Sequence, residues 1–179
     1  MSYLSELLHD PLVASLAPSS RYLARRVVAA ARVREAGLVV ELGPAEGVIT
    51  RRLLRAMPAK SRLLAVELHP GFMRALRRIR DPRLNAVEGD ARDLAGHMGR
   101  LGLPRADAVV SGVPLSLLDE EGRRRFLTGV REALVPGGRF VAYQLTPQLA
   151  PLLKEGFRGL DISFELRNLP PLFVLSGRR

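Results

Sequence analysis

The sequence predicts an α/β fold, a doubly wound and mostly parallel sheet that closes in an antiparallel terminal hairpin and is preceded by helices. Three observations carry that prediction. Short apolar runs alternate with stretches of helical periodicity along most of the chain. The first run, L-V-V-E-L-G-P-A-E-G at 38–47, ends in an acid and a glycine-bearing turn. The last two runs are separated by too few residues for a helix. A buried first strand of this kind delivers Glu41 to its carboxyl end, where the backbone of Gly43 to Gly47 approaches a ligand as the next helix starts.

Residues 1–34 read as an N-terminal helical lid or amphipathic segment and residues 35–179 as the sheet domain. The first helical piece carries Leu4, Leu7, Leu8, Leu12 and Leu16 at near-helical spacing, with Pro11 opening a new helix or kinking this one. The second, capped by Ser19 or Ser20, sets Tyr22, Leu23, Val27 and Val28 against Arg21, Arg25, Arg26 and Arg32. Such a helix suits either a lid over the sheet's ligand edge or a segment in a membrane interface, where Tyr22, Leu23 and Val27 would enter lipid.

Strands are expected at 37–42, 62–67, 85–88, 106–111, 138–145, 161–166 and 172–176. Between the first two, Ile49, Leu53, Leu54 and Met57 recur on one helical face, with Arg51, Arg52 and Arg55 on the other. The next helix places Phe72, Met73, Leu76 and Ile79 inside and Arg74, Arg77 and Arg78 outside. A longer one opens after Asp119, with Glu120 and Glu121 in its first turn, buries Phe126, Leu127, Val130 and Leu134, and closes before Pro136, Gly137 and Gly138. Arg167 to Pro171 leave room only for a turn, so the last two strands are antiparallel neighbours.

A chain of 179 residues suits one domain with a short appendage. Without cysteine it has no disulfide framework and no thiolate metal site, which favours a cytoplasmic setting. The three histidines, His9, His69 and His97, lack metal-ligand spacing, and no metal is expected. No apolar run approaches the roughly twenty residues that span a bilayer, so any membrane contact is expected to be peripheral, at the inner face. The formal net charge of +10 is carried almost wholly by arginine, whose planar fork binds phosphate. That balance suits an anionic membrane surface, reached through the N-terminal helices, or RNA.

Two further acids stand where later strands should end, Glu67 in L-L-A-V-E-L and Asp90 in A-V-E-G-D-A. Glu67 follows Gly47 by twenty residues, the interval at which a carboxylate commonly accepts from ribose hydroxyls. Both hydroxyls of a ribose are donors, and an ionised carboxylate accepts from both.

With these residues laid out, the chain resembles a class I S-adenosylmethionine-dependent methyltransferase, and within that class the bacterial phospholipid N-methyltransferases, relatives of the ribosomal RNA adenine dimethyltransferases. The resemblance rests on A-P-S-S-R-Y-L-A-R at 17–25, V-V-E-L-G-P at 39–44, L-A-V-E at 64–67, G-D-A at 89–91, V-V-S-G-V-P-L at 109–115, P-G-G-R-F-V at 136–141 and N-L-P-P at 168–171. It implies the methyltransferase form of the doubly wound sheet, with S-adenosyl-L-methionine as cofactor. Gly43 to Gly47 would hold its methionine part, Glu67 its ribose, and Asp90 with Ala91 its adenine. The implied cofactor set is Glu41, Gly43, Pro44, Ala45, Gly47, Glu67, Leu68, Asp90, Ala91 and Ser111.

On the acceptor side the resemblance implies Ser111, Pro114 and Tyr143 beside the reacting methyl group, with Ser20 and Tyr22 on the substrate. Tyr22 and Tyr143 can face a methylated ammonium. The loop departs from the family's E-L-G-P-G-T-G at Ala45 and Glu46, and the fifth strand carries Ala142 and Leu145 where relatives carry glutamine and tyrosine. If position 45 needs a positive φ, alanine costs about 1 kcal/mol there. The expected reaction is methylation of an aminophospholipid amine such as that of phosphatidylethanolamine. RNA adenine methylation is the second expectation, set back by Ser111, Gly112, Val113, Pro114 and Leu115, which offer neither amide nor stacking ring for a flipped base. A third is a non-catalytic binding protein on the same scaffold, prompted by Ala45 and Glu46.

Overall fold

The computed structural model describes residues 19–179. The expected first helical piece, Leu4 to Leu16 with Pro11, and His9 lie outside the described residues. Helix α1 (Arg21–Ala31) leads into β1 (Leu38–Leu42), α2 (Val48–Ala56), β2 (Arg62–Glu67), α3 (Pro70–Leu76), β3 (Leu84–Glu88), α4 (Leu94–Arg100) and β4 (Ala106–Ser111). Then come α5 (Glu120–Ala133), β5 (Leu134–Gln144), α6 (Ala150–Gly156), β6 (Arg158–Glu165) and β7 (Leu172–Arg178). The sheet order is β3-β2-β1-β4-β5-β7-β6, with β1 to β5 parallel and β7 antiparallel to both β5 and β6. This is the Rossmann-like sheet with an antiparallel terminal hairpin that the sequence predicts.

Both faces of the sheet are covered, which is why its central strands are apolar without a polar side. Leu38, Val40, Leu42, Val109 and Phe140 face α4, α5 and α6, while Val39, Leu63, Ala108, Val110 and Val141 face α1 and α2. Alternation along each strand therefore decides which layer a site residue belongs to.

Helix α1 starts where Ser20 accepts from the N–H of Leu23 at 3.1 Å, a side-chain N-cap. Its apolar stripe is spent on the fold: Leu23 and Val27 are 0% exposed and pack with Ile49, Leu53 and Val141. This corrects the expectation that Leu23 and Val27 enter lipid. A stripe already shielded from water by the sheet has no apolar area left to transfer to a membrane. The helix is also pinned to the terminal hairpin, for Arg26 Nε donates to Glu165 at 3.0 Å and the N–H of Ser20 donates to Asn168 at 2.8 Å.

Two other expectations shift. Strand β5 begins at Leu134 rather than 138, carrying Pro136, Gly137 and Gly138 inside an irregular stretch. Gly137 and Gly138 exchange backbone hydrogen bonds with Arg179, so the end of the chain extends the pairing that the prolyl residue interrupts. Helix α3 stops at Leu76, and Phe72 and Ile79 are only partly buried while Met73 and Leu76 are fully inside. Helices α4 and α6, seven residues each, are too short to impose a periodicity on the sequence.

Candidate active site

The carboxyl ends of β1, β2, β4 and β5 lie together at one edge of the sheet, and strand parity sorts their residues into two layers. Glu41 pairs with Ala65 and Val110, and Glu67 lies two residues beyond Ala65 on the same face. Tyr143 lies two residues beyond Val141, which pairs with Val110, so it shares that face. The side of α1 and α2 thus gathers Glu41, Glu67 and Tyr143, whereas Ser111 and Gln144 point to the other layer.

Glu41 is 0% exposed, and neither of its carboxylate oxygens has a hydrogen-bond partner among the described residues; the Thr50 hydroxyl beside it is likewise unbonded. Burial raises its pKa to about 8, with Glu67 adding to the shift and nearby Thr50 opposing it. A buried acid without a partner fits a ligand that brings a positive charge or a donor.

Glu67 is better served. Its Oε2 accepts from the N–H of Ala45 and its Oε1 from the N–H of His69, each at 2.9 Å. Burial pushes its pKa up and those amides pull against the shift. Each oxygen keeps a second lone pair for a hydroxyl donor. Asp90 caps the short turn at Ala91–Asp93, accepting from the N–H of Arg92 at 2.8 Å and pairing with its guanidinium. Burial works against the Asp90 charge, but the Arg92 bonds outweigh it and hold the carboxyl below its ordinary value. Leu68 and Ala91 are half-buried beside these acids.

The loop between β1 and α2 is built for close approach. Gly47, at φ 77°, forms the N-cap of α2 without a side-chain cap, which leaves the first amides of the helix for an anion such as a carboxylate. Ala45 has φ 49°, so the positive angle feared from the sequence is real. Pro44 is buried, and Glu46 turns its side chain to solvent. The donor set therefore matches S-adenosyl-L-methionine part by part. Helix amides and Glu41 suit the carboxylate and ammonium of its methionine end, Glu67 suits the ribose diol, and Asp90 lies on the adjoining strand end.

On the acceptor side, a Cβ added to Gly112 would lie 2.0 Å from the Tyr143 hydroxyl, so only glycine lets that ring lie across the turn after β4. Burial, and then the charges of Glu41 and Glu67, push the Tyr143 hydroxyl far above its ordinary value, and it stays neutral. Ser111 is fully buried; its hydroxyl accepts from the N–H of Val113 at 3.3 Å and holds the turn from below. Gln144 brackets Pro114, donating to the carbonyl of Val113 at 2.8 Å and accepting from the N–H of Leu115 at 3.1 Å. Ser20 spends its hydroxyl on the α1 cap. Tyr22, at the rim, lies between the guanidinium groups of Arg21 and Arg167, 4.9 and 4.1 Å from its centroid.

Sequence reasoning left three supporting residues without a role. Gln144 was legible by parity, since it lies two residues beyond Ala142, the partner of Ser111. Asn168 sat in the noted N-L-P-P run, but while its bond to the carbonyl of Pro170 is local, its bond to Ser20 joins segments far apart in the chain. His97 gave no signal: Arg100 donates to its Nδ1, which leaves Nε2 to donate to the carbonyl of Asp90 at 3.0 Å and fix that turn.

Residues 39–138 match the methyltransferase domain family. Ornithine lipid N-methyltransferase of Singulisphaera acidiphila is 36% identical over 166 residues, covering 91% of this chain and 86% of that protein. N-methyltransferase NodS of Bradyrhizobium japonicum WM9, solved with S-adenosyl-L-homocysteine, superposes with a TM-score of 0.73 at 16% identity, over 98% of this chain and 96% of NodS. TrmN of Thermus thermophilus superposes at 0.64 and 21% identity over 88% of this chain, which spans about half (48%) of TrmN's length. The solved structures share the fold; the sequence matches carry the kinship. The chain belongs to the methyltransferase domain family and is an S-adenosyl-L-methionine-dependent methyltransferase.

Proposed function

We propose that the acceptor is the amine of a membrane aminolipid, of the phosphatidylethanolamine or ornithine-lipid type. The observation that carries this reading is the 36% identity to an ornithine lipid N-methyltransferase over nearly the whole of both chains. Methyl transfer to an amine is an in-line displacement at a sulfonium carbon, which needs a free electron pair on nitrogen, correct alignment and a dry site. The cofactor supplies the electrophilic methyl group. The protein's part is to hold and align. Tyr143, neutral and fixed over Gly112, offers a hydroxyl to the amine. The turn through Pro114 is held in place by Gln144. The Glu67 carboxylate, held by the backbone amides of Ala45 and His69, gives this edge a negative bias that suits a cationic product.

In this reading the enzyme acts peripherally on the cytoplasmic face of the inner membrane, drawn there by its arginines. No described helix is long and apolar enough to cross a bilayer. The test is incubation with labelled S-adenosyl-L-methionine and separate vesicles containing phosphatidylethanolamine, an ornithine lipid or phosphatidylcholine alone, with ribosomal subunits as a fourth arm. Label in one of the first two vesicle classes supports the proposal. Label confined to RNA overturns it.

A further inference from the structure

The turn between β6 and β7 is built inside out. Two polar side chains, Glu165 at the end of β6 and Asn168 in the turn, face inward: Glu165 is buried and accepts from the Nε and N–H of Arg167 and from Arg26, while Asn168 is buried and joins the N–H of Ser20 to the carbonyl of Pro170. Its leucines face outward. Leu166 is 72% and Leu169 77% exposed, the highest values among the large apolar side chains described. Because Glu165 and Asn168 pin the turn on either side, those leucines cannot fold back onto the core. Bonds from Arg167 and Arg26 draw the Glu165 pKa down to about 2, so the clamp stays charged across the physiological range.

The turn's position gives this a use. Strand β7 runs antiparallel to β5, with Phe173 opposite Gln144, so the turn stands at the carboxyl edge of the sheet, the edge that carries the cofactor cleft. Leu145, just past the end of β5, is also exposed at this edge. The flank is cationic: from Ser19 to Arg34 the chain has five arginines and no acid, and Arg21 and Arg25 take part in no ion pair among the described residues. Arg167 stands between the two leucines in the turn itself.

We infer that the Leu166–Leu169 turn is a membrane-docking wedge, with Leu166 and Leu169 entering the acyl boundary of an anionic bilayer and Arg21, Arg25 and Arg167 meeting its phosphates. Apolar side chains ringed by guanidinium groups match the two layers of such a surface, hydrocarbon beneath phosphate. The inference rests on the reading that the acceptor is a membrane lipid, and it deepens that reading by stating which edge meets the bilayer. It also moves the apolar contact from α1, whose stripe is buried, to the hairpin.

The absence of cysteine allows a clean probe. The full chain carrying Leu166→Cys, labelled with an environment-sensitive fluorophore, is mixed with vesicles of phosphatidylglycerol and phosphatidylcholine, which contain no primary amine. A blue shift with several-fold brightening, quenched by nitroxides in the acyl chains, is expected with these vesicles and not with phosphatidylcholine alone. The Leu166→Ser, Leu169→Ser double variant should bind the anionic vesicles about tenfold less tightly or worse. Its affinity for S-adenosyl-L-homocysteine should be unchanged, which shows that it folds.

Three results overturn the inference: a label already shielded in buffer, which means that residues 1–18 or a second copy cover the turn; a label that ignores vesicles; or a double variant that binds them like the parent. The two readings fail separately. If the label inserts but no aminolipid is methylated, the acceptor assignment falls and the docking surface stands. If the double variant binds and methylates aminolipid vesicles like the parent, the docking surface falls and the acceptor assignment stands.

Discussion

The N–H of Ala45 donates to Oε2 of Glu67 at 2.9 Å, which ties the loop residue that departs from glycine to the carboxylate at the end of the neighbouring strand. Glu67 therefore anchors the loop, and we propose that the same carboxylate accepts from the cofactor's ribose hydroxyls.

Replacing Glu67 with alanine removes both roles. Affinity for S-adenosyl-L-homocysteine should fall by about 1.5–3 kcal/mol, the range for hydrogen bonds to a charged group. Glu67→Gln should lie between the two, because its amide oxygen can serve one of the two backbone donors while its NH₂ opposes the other. Titration calorimetry checks both; unchanged affinity in Glu67→Ala would remove Glu67 from the site.

At position 45 the left-handed backbone costs an alanine about 1 kcal/mol that a glycine would not lose. Ala45→Gly relieves this but enlarges the freedom of the unfolded chain. The expected net effect is a melting temperature equal to or slightly above the parent's, with cofactor affinity kept or raised. A large loss of affinity means that the methyl group itself is part of the pocket wall.

Gln144→Ala would orphan the carbonyl of Val113 and the N–H of Leu115 in a buried place, at a cost of about 1–3 kcal/mol for each. Cofactor affinity should hold, because this brace lies on the acceptor side of the cleft, while kcat falls. Binding of S-adenosyl-L-homocysteine measured alongside turnover separates the two, and a parallel loss of both would mean that the turn also shapes the cofactor pocket.

Glu41 makes a pH prediction for the ligand-free protein. Its pKa is raised from 4.5 to about 8, so between those values the unfolded chain releases a proton that the folded protein keeps. Stability should therefore decline as pH rises across that window and level off above it. Glu41→Gln should flatten that decline and melt higher than the parent near pH 8. Thermal melts from pH 5 to 9 test this, with parallel curves for the two proteins as the adverse result.

The sheet itself was legible in the chain, because period-2 apolar runs, helical stripes and punctuating glycines are local signals that burial on both faces enforces. Glu41, Glu67 and Asp90 were legible for the same reason: a strand's end can be read from the run that precedes it. The terminal hairpin followed from arithmetic, since the five residues from Arg167 to Pro171 cannot hold a crossover helix.

Only the tertiary structure decided which of two amphipathic fates α1 meets. A stripe such as Leu23, Ala24 and Val27 has the same period whether it faces lipid or a sheet, and it took the packing of Ile49, Leu53 and Val141 against it to settle the matter. It also took the tertiary structure to show that Glu165 and Asn168 turn inward while Leu166 and Leu169 turn out. Hydropathy predicts the reverse. Bonds from Arg26 and Ser20, more than a hundred residues away in sequence, hold that inversion in place, and no local pattern encodes contacts of such separation.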